Sequence, residues 1–158
     1  MGQDIESVVV VACGNTLRGD DGVAWRIGAA LQALPTLFKK EVIFTQQLLP
    51  EHALALHRAD LAIFLDCCAT GMAGMVESVA LSPASVSPRI FTHHFDPASL
   101  LRMTFDLYGR APAHAFAITV GGHCFELSEE LSGPVAAAVP EAIDAILSLM
   151  PDGHYPRA

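Results

Sequence analysis

Little of this chain is charged: 16% of its 158 residues are Asp, Glu, Lys or Arg, against 52% apolar, which excludes a disordered polymer. Basic clusters are missing too. The longest is Lys39-Lys40, and the formal charge is −8, so a nucleic-acid backbone is repelled and no nucleic-acid partner is expected. Apolar runs are short, and none approaches the roughly 18–20 residues of a membrane span. The acidic start, Met1 to Glu6, lacks the basic region of a secretory signal, and Glu6 stands where myristoylation wants Ser or Thr. No membrane insertion is expected. Four cysteines (Cys13, Cys67, Cys68, Cys124) have no framework spacing and read as reduced, buried thiols of a cytoplasmic protein.

Several catalytic signatures are absent as well. There is no H-E-x-x-H, no G-x-S-x-G elbow, no G-x-G-x-x-G and no G-K-[ST]. What is present is an alternation of periods. The run Val8 to Val11 reads as a strand buried on both faces. Asp20-Asp21-Gly22 opens a helix with apolar positions Val23, Ile27, Leu31 and Leu34, closed by Pro35. Further strands are expected over Glu41 to Thr45, Leu61 to Leu65, Met75 to Leu81 (an edge strand) and Ala115 to Val120. Helices are expected over Pro50 to His57, Pro97 to Tyr108 and Gly133 to Met150, with a loop over Ser82 to Pro88. The alternation implies one α/β domain over residues 1–150, a three-layer α/β/α sandwich around a mainly parallel, twisted sheet of about five strands. Residues 151–158 form a flexible tail in this reading.

In such sheets ligand groups gather beyond the carboxyl ends of the strands. Three such places carry polar residues: Cys13 to Gly22 after the first strand, Asp66 after the third, and Thr92-His93-His94-Phe95-Asp96 before a helix. Paired carboxylates at a helix start repel phosphate, which argues against nucleotides. Asp20 reads as the cap of that helix, leaving Asp21 to point elsewhere. Asp66 ends a buried run, where a charge needs a hydrogen bond, a partner or a cation. Two carboxylates and an imidazole on converging loops suit a borderline cation such as zinc or nickel. His114 and His123 flank a strand and read as packing or capping residues, His52 and His57 lack chelating spacing, and Trp25 and Phe38 read as core or groove residues.

The run Gly14-Asn15-Thr16-Leu17-Arg18-Gly19-Asp20-Asp21-Gly22, with the Leu65-Asp66 strand end, the Thr92-His93-His94 loop and Thr119-Val120-Gly121-Gly122, resembles the hydrogenase maturation proteases from about Val8 to Met150. The resemblance implies a cytoplasmic endopeptidase that removes the C-terminal extension of a [NiFe]-hydrogenase large-subunit precursor. It implies that Asp21, Asp66 and His94 are the metal-contacting and catalytic residues, His94 rather than His93. It also implies that nickel arrives with the precursor, and that zinc or cadmium can stand in. Two departures stand out: Ala12 replaces the first glycine of the usual G-x-G-N, and Gln46-Gln47-Leu48-Leu49 stands where the family often has D-G-G-T. A self-sufficient zinc hydrolase and a nucleotide- or small-ligand-binding module are the alternative readings.

Overall fold

The computed structural model describes residues 4–82 and 95–151. Its elements are β1 (Ser7–Cys13), α1 (Val23–Ala33), β2 (Lys39–Thr45), α2 (Ala53–Arg58), β3 (Leu61–Cys68), β4 (Val76–Leu81), α3 (Pro97–Tyr108), β5 (His114–Gly121) and α4 (Gly133–Leu149). The strands form one sheet in the order β2-β1-β3-β5-β4. All neighbours are parallel except β4, which runs antiparallel along the edge of β5. The three-layer α/β/α sandwich expected from the alternation is the fold found.

Side chains alternate across a strand, so each strand feeds two cores. Val8, Val10, Leu61, Ile63, Leu65, Ile118 and Val120 face one side, where α1 brings Ile27 and Leu31 and α4 brings Ala142 and Ile146. Val9, Val11, Ala62, Phe64 and Ala115 face the other, under Leu56 of α2 and Leu100 and Leu101 of α3. Complete burial of a Leu or Ile contributes roughly 1.5–3 kcal/mol, so these two faces hold the layers together. The short basic run is used structurally, the Lys40 ammonium donating to the Leu31 and Leu34 carbonyls at the end of α1.

Besides shifts of one or two residues at strand ends, local structure differs from the sequence reading in three places. Asp20 and Asp21 lie in a separate 3-10 turn, Gly19–Gly22, and α1 starts only at Val23. β3 does not stop at Leu65 but runs through Asp66 to Cys68, because Asp66, Cys67 and Cys68 pair with Thr119, Val120 and Gly121 of β5. A 3-10 turn, Pro50–His52, precedes α2. α3 spans the expected residues, with Asp96 accepting from the Ser99 N–H and Gly109 closing it in the left-handed conformation. Most of the expected 82–88 loop and the tail beyond Pro151 lie outside the described residues.

Candidate active site

The strand order places the chain reversal between β1 and β3: from β1 the chain moves outward to β2, then crosses back to β3 on the other side of β1. A crevice at such a point opens beyond the carboxyl ends of the strands. A cleft of about 1070 Å³ lies there. Strand alternation decides what lines it. Cys13, Thr45, Asp66 and Thr119 all fall on the α2/α3 face of their strands and all line the cleft. Register adds a row across the sheet, Asp66 opposite Thr119 and Thr119 opposite Glu77, and all three are lining residues.

Asp21 enters the same cleft from the 3-10 turn. Its placement depends on a close approach of two backbones. Gly14 lies so near the turn that a Cβ there would meet the Asp21 carbonyl oxygen at 2.1 Å. The Asn15 N–H then donates to Asp21 Oδ2 at 2.8 Å, and Asn15 Oδ1 accepts from the Leu17 N–H, closing the loop on itself. Asp66 is oriented from its own strand, its Oδ1 accepting from the Cys67 N–H at 2.8 Å. Asp21 and Asp66, named together in the sequence reading, both line this cleft. His94, like His93, lies outside the described residues; Phe95 and Asp96, which follow it in the chain, line the cleft.

Asp20 is not the cap of α1. Its side chain is fully buried and points away from the cleft, where Oδ1 accepts from the Ser132 N–H at 2.7 Å. Oδ2 accepts from the N–H groups of His123 and Cys124 and from the Ser132 hydroxyl. Burial alone would raise its pKa; the donors from Cys124, His123 and Ser132 outweigh that and hold the carboxyl below its ordinary range. The neighbouring residues share the task. The Gly19 N–H donates to the Ser128 carbonyl, the Asp20 N–H to the Cys124 carbonyl, and Arg18 Nε to the Phe125 carbonyl. Gly19 has φ +56°, and a Cβ there would lie 2.5 Å from the Cys124 carbonyl oxygen. Thus Arg18, Gly19 and Asp20 lash the turn to the 123–132 segment, which leaves Asp21 facing the cleft.

The lining is acidic. Asp21, Asp66, Glu77 and Asp96 contribute carboxylates, and no Lys, Arg or His is among the described residues that line the cleft. The far wall is apolar, with Phe64, Val79, Leu81 and Phe95, and the departing segment Gln46 to Leu49 forms part of the rim. His52 holds that rim, its Nδ1 accepting from the Leu49 N–H at 3.0 Å.

Cys13 is the obvious nucleophile to consider in the cleft, and its chemistry speaks against it. Burial, then the charges of Asp66 and Asp21, pushes its thiol up to about 12. Cys67 is likewise pushed to about 12, by burial and then by Asp21 and Asp66. Both are thiols at neutral pH, so thiolate attack is disfavoured. The cysteines are not uniformly buried as the sequence suggested: Cys13 and Cys67 are half-buried, and Cys124 is exposed. His114 and His123, read as packing or capping residues, are both exposed because their strand ends at the surface. Trp25 is half-buried, tilted against Phe44 and donating to the Thr45 carbonyl, and Phe38 lies in the core. Sequence reasoning passed over Glu77 and quoted Thr119 only as part of a motif; the signal was register, since both sit level with Asp66 once β4 is known to pair with β5.

Comparison with solved structures gives the same architecture repeatedly. The hydrogenase maturating endopeptidase HybD from E. coli superposes with a TM-score of 0.75 at 20% identity, over 90% of this chain and 91% of that one. A hydrogenase 2 maturation peptidase from Thaumarchaeota archaeon SCGC_AB-539-E09 has a TM-score of 0.69 at 26% identity, over 90% of this chain and 97% of that one. This chain has the hydrogenase maturation protease fold. The [NiFe] hydrogenase maturation protease HycI from Thermococcus kodakarensis KOD1 is similar over 92% of this chain and 93% of its own, at 19% identity and a TM-score of 0.70. No family model and no curated protein sequence matches the chain. The family resemblance stated from the motif residues therefore agrees with the fold along nearly the whole length. Among the described residues no helix is long and apolar enough to cross a membrane.

Proposed function

We propose that the chain is a cytoplasmic endopeptidase that removes the C-terminal extension of a [NiFe]-hydrogenase large-subunit precursor once nickel is in place. The observation that carries this reading is the convergence of Asp21 and Asp66 in one acidic cleft at the strand-order reversal, in a fold shared with maturation peptidases. Carboxylate oxygens gathered on one cleft suit a divalent metal better than an anion. In the proposed reaction the nickel belongs to the substrate. Asp21, Asp66 and, by the sequence resemblance, His94 contact it, and so test whether insertion is complete. Water then attacks the peptide bond held beside them, with a carboxylate as general base or the metal polarising the carbonyl. The apolar wall from Phe64 to Phe95 receives side chains of the extension.

The test is cleavage of two purified precursors, one loaded with nickel and one without. Only the loaded form is expected to be cut, and zinc or cadmium in the same site is expected to replace nickel in binding. Cleavage of both forms at the same rate contradicts recognition through nickel. An enzyme that purifies with stoichiometric zinc of its own in the cleft favours a self-sufficient zinc hydrolase instead. In the histidine pair, His94→Ala is expected to abolish processing and His93→Ala to leave much of it; the reverse result shifts the ligand by one residue.

A further inference from the structure

Outside the cleft, three ligand-type side chains of different kinds meet on the 123–132 segment. One donor atom each from Asp20, His123 and Cys124 lies within 4.8 Å of the other two. None of the three lines the cleft. The spacing between His123 Nδ1 and Asp20 Oδ2 is 3.7 Å, too long for a hydrogen bond. It is the spacing two ligands take around one ion held roughly 2.0–2.2 Å from each, at an angle of about 125°. His123 and Cys124 are exposed while Asp20 is buried, so the ion would enter from solvent on the imidazole and thiol side.

The support beneath the site is rigid. Asp20 is fixed by backbone N–H donors from both of the other ligand residues, so its carboxylate and their backbones cannot separate without breaking those bonds. The Ser132 hydroxyl is the one rotatable donor on Asp20 Oδ2, and it can turn away as an ion arrives. We propose that Asp20, His123 and Cys124 form a second site for a soft divalent cation of the zinc, cadmium or nickel kind. An imidazole and a thiolate select such ions over magnesium or calcium. On binding, the Cys124 thiol passes its proton to solvent and its sulfur bonds the metal, and water fills the remaining position. The ion ties the 123–132 segment to the turn that carries Asp21, so it supports the cleft without taking part in the reaction.

The experiment is a cadmium titration of the full chain carrying Cys13→Ser and Cys67→Ser, which removes the two half-buried thiols near the cleft carboxylates. A thiolate-to-cadmium charge-transfer absorption is expected to grow to saturation. Adding Cys124→Ser is expected to remove it, and adding His123→Ala to weaken the binding that produces it. Both side chains are exposed, so both variants are expected to fold. Adding Asp21→Asn instead is expected to leave the absorption unchanged, which separates this site from the reading of the cleft. An absence of the absorption in the Cys13→Ser/Cys67→Ser chain, or its survival after Cys124→Ser, overturns the proposal.

Discussion

Asp60, just before β3, and Asp66, near its carboxyl end, have different surroundings. At the amino end Asp60 is saturated. Its Oδ2 accepts from the N–H groups of Glu6 and Ser7 and from the Ser7 hydroxyl, and its Oδ1 takes the Arg110 guanidinium at 2.7 Å. Arg110 also donates to the His57 carbonyl, so the cluster ties β1, α2 and the start of β5 together. At the carboxyl end Asp66 accepts from the Cys67 N–H and shares a cleft with Asp21, Glu77 and Asp96. One pole of the sheet spends its charge on stability; the other gathers four carboxylates around a cleft. The lesson is that a carboxylate's role follows from what reaches it across the fold, and not from its place in a strand.

Asp20 sharpens that comparison, because it is a carboxylate at the open pole that four donors hold in place. Its four acceptor contacts mean that Asp20→Asn cannot be mild, as a cap-like reading would have it. Either orientation of the amide turns an N–H₂ towards N–H or O–H donors. The loss is expected to be about 3 kcal/mol or more, read as a lower denaturation midpoint in urea. Asp21→Asn, one residue on, is expected to leave that midpoint unchanged or slightly higher while weakening cadmium binding in the cleft. A result with the two variants exchanged would mean that the turn presents the other carboxylate to the cleft.

The amino-end cluster is expected to matter less. Asp60→Asn removes a half-exposed, solvent-screened ion pair, and roughly 1 kcal/mol of stability should go with it. Processing activity should be retained, the opposite of Asp66→Asn, which should fold normally and fail to process.

Acid titration offers a third way to separate the poles. For Asp60, burial raises the pKa, but hydrogen bonds from Ser7 and Glu6 and the charge of Arg110 lower it further, so the folded value lies below the ordinary 3.8. Asp20 is shifted the same way. Both therefore contribute stability that is complete above 3.8 and is lost as pH falls through their lower folded values. Unfolding free energy measured across that range should decline less steeply in Asp60→Asn than in the parent.

The smallest effect concerns the rim. Burial holds His52 neutral more strongly than Glu51 favours its charge, so its folded pKa lies below 6.5. The stability it contributes is present above 6.5 and is lost as pH falls below it. His52→Ala should cost about 1 kcal/mol above 6.5 and less beneath it, in thermal unfolding at the two pH values.

Much of this was legible in the sequence, for reasons that can be named. The Val8 to Val11 run, the period of Val23, Ile27 and Leu31, and the Pro97 and Gly109 boundaries of α3 are local signals, and the elements follow them. Asp21 and Asp66 could be weighed together because ligand groups gather beyond strand ends in such sheets, and both line the cleft. Asp20 was not, because its partners lie 103 to 112 residues away and a nearby helix start offered a simpler role. The extension of β3 through Asp66 was also hidden, since it depends on pairing with β5 and not on the residues of β3. Cys124 looks apolar in a list of residue types, and only the hydrogen bonds of the 123–132 segment bring it to the surface beside His123.

The central claim is that Asp21 and Asp66 act together on nickel carried by the precursor. Its most direct measurement is processing of nickel-loaded and nickel-free precursor by the parent chain, Asp21→Asn and Asp66→Asn, with folding checked by circular dichroism. The account predicts cleavage by the parent of the loaded form only, and no cleavage by either folded variant. Parent-like cleavage by either variant, or equal cleavage of both precursors by the parent, would contradict it.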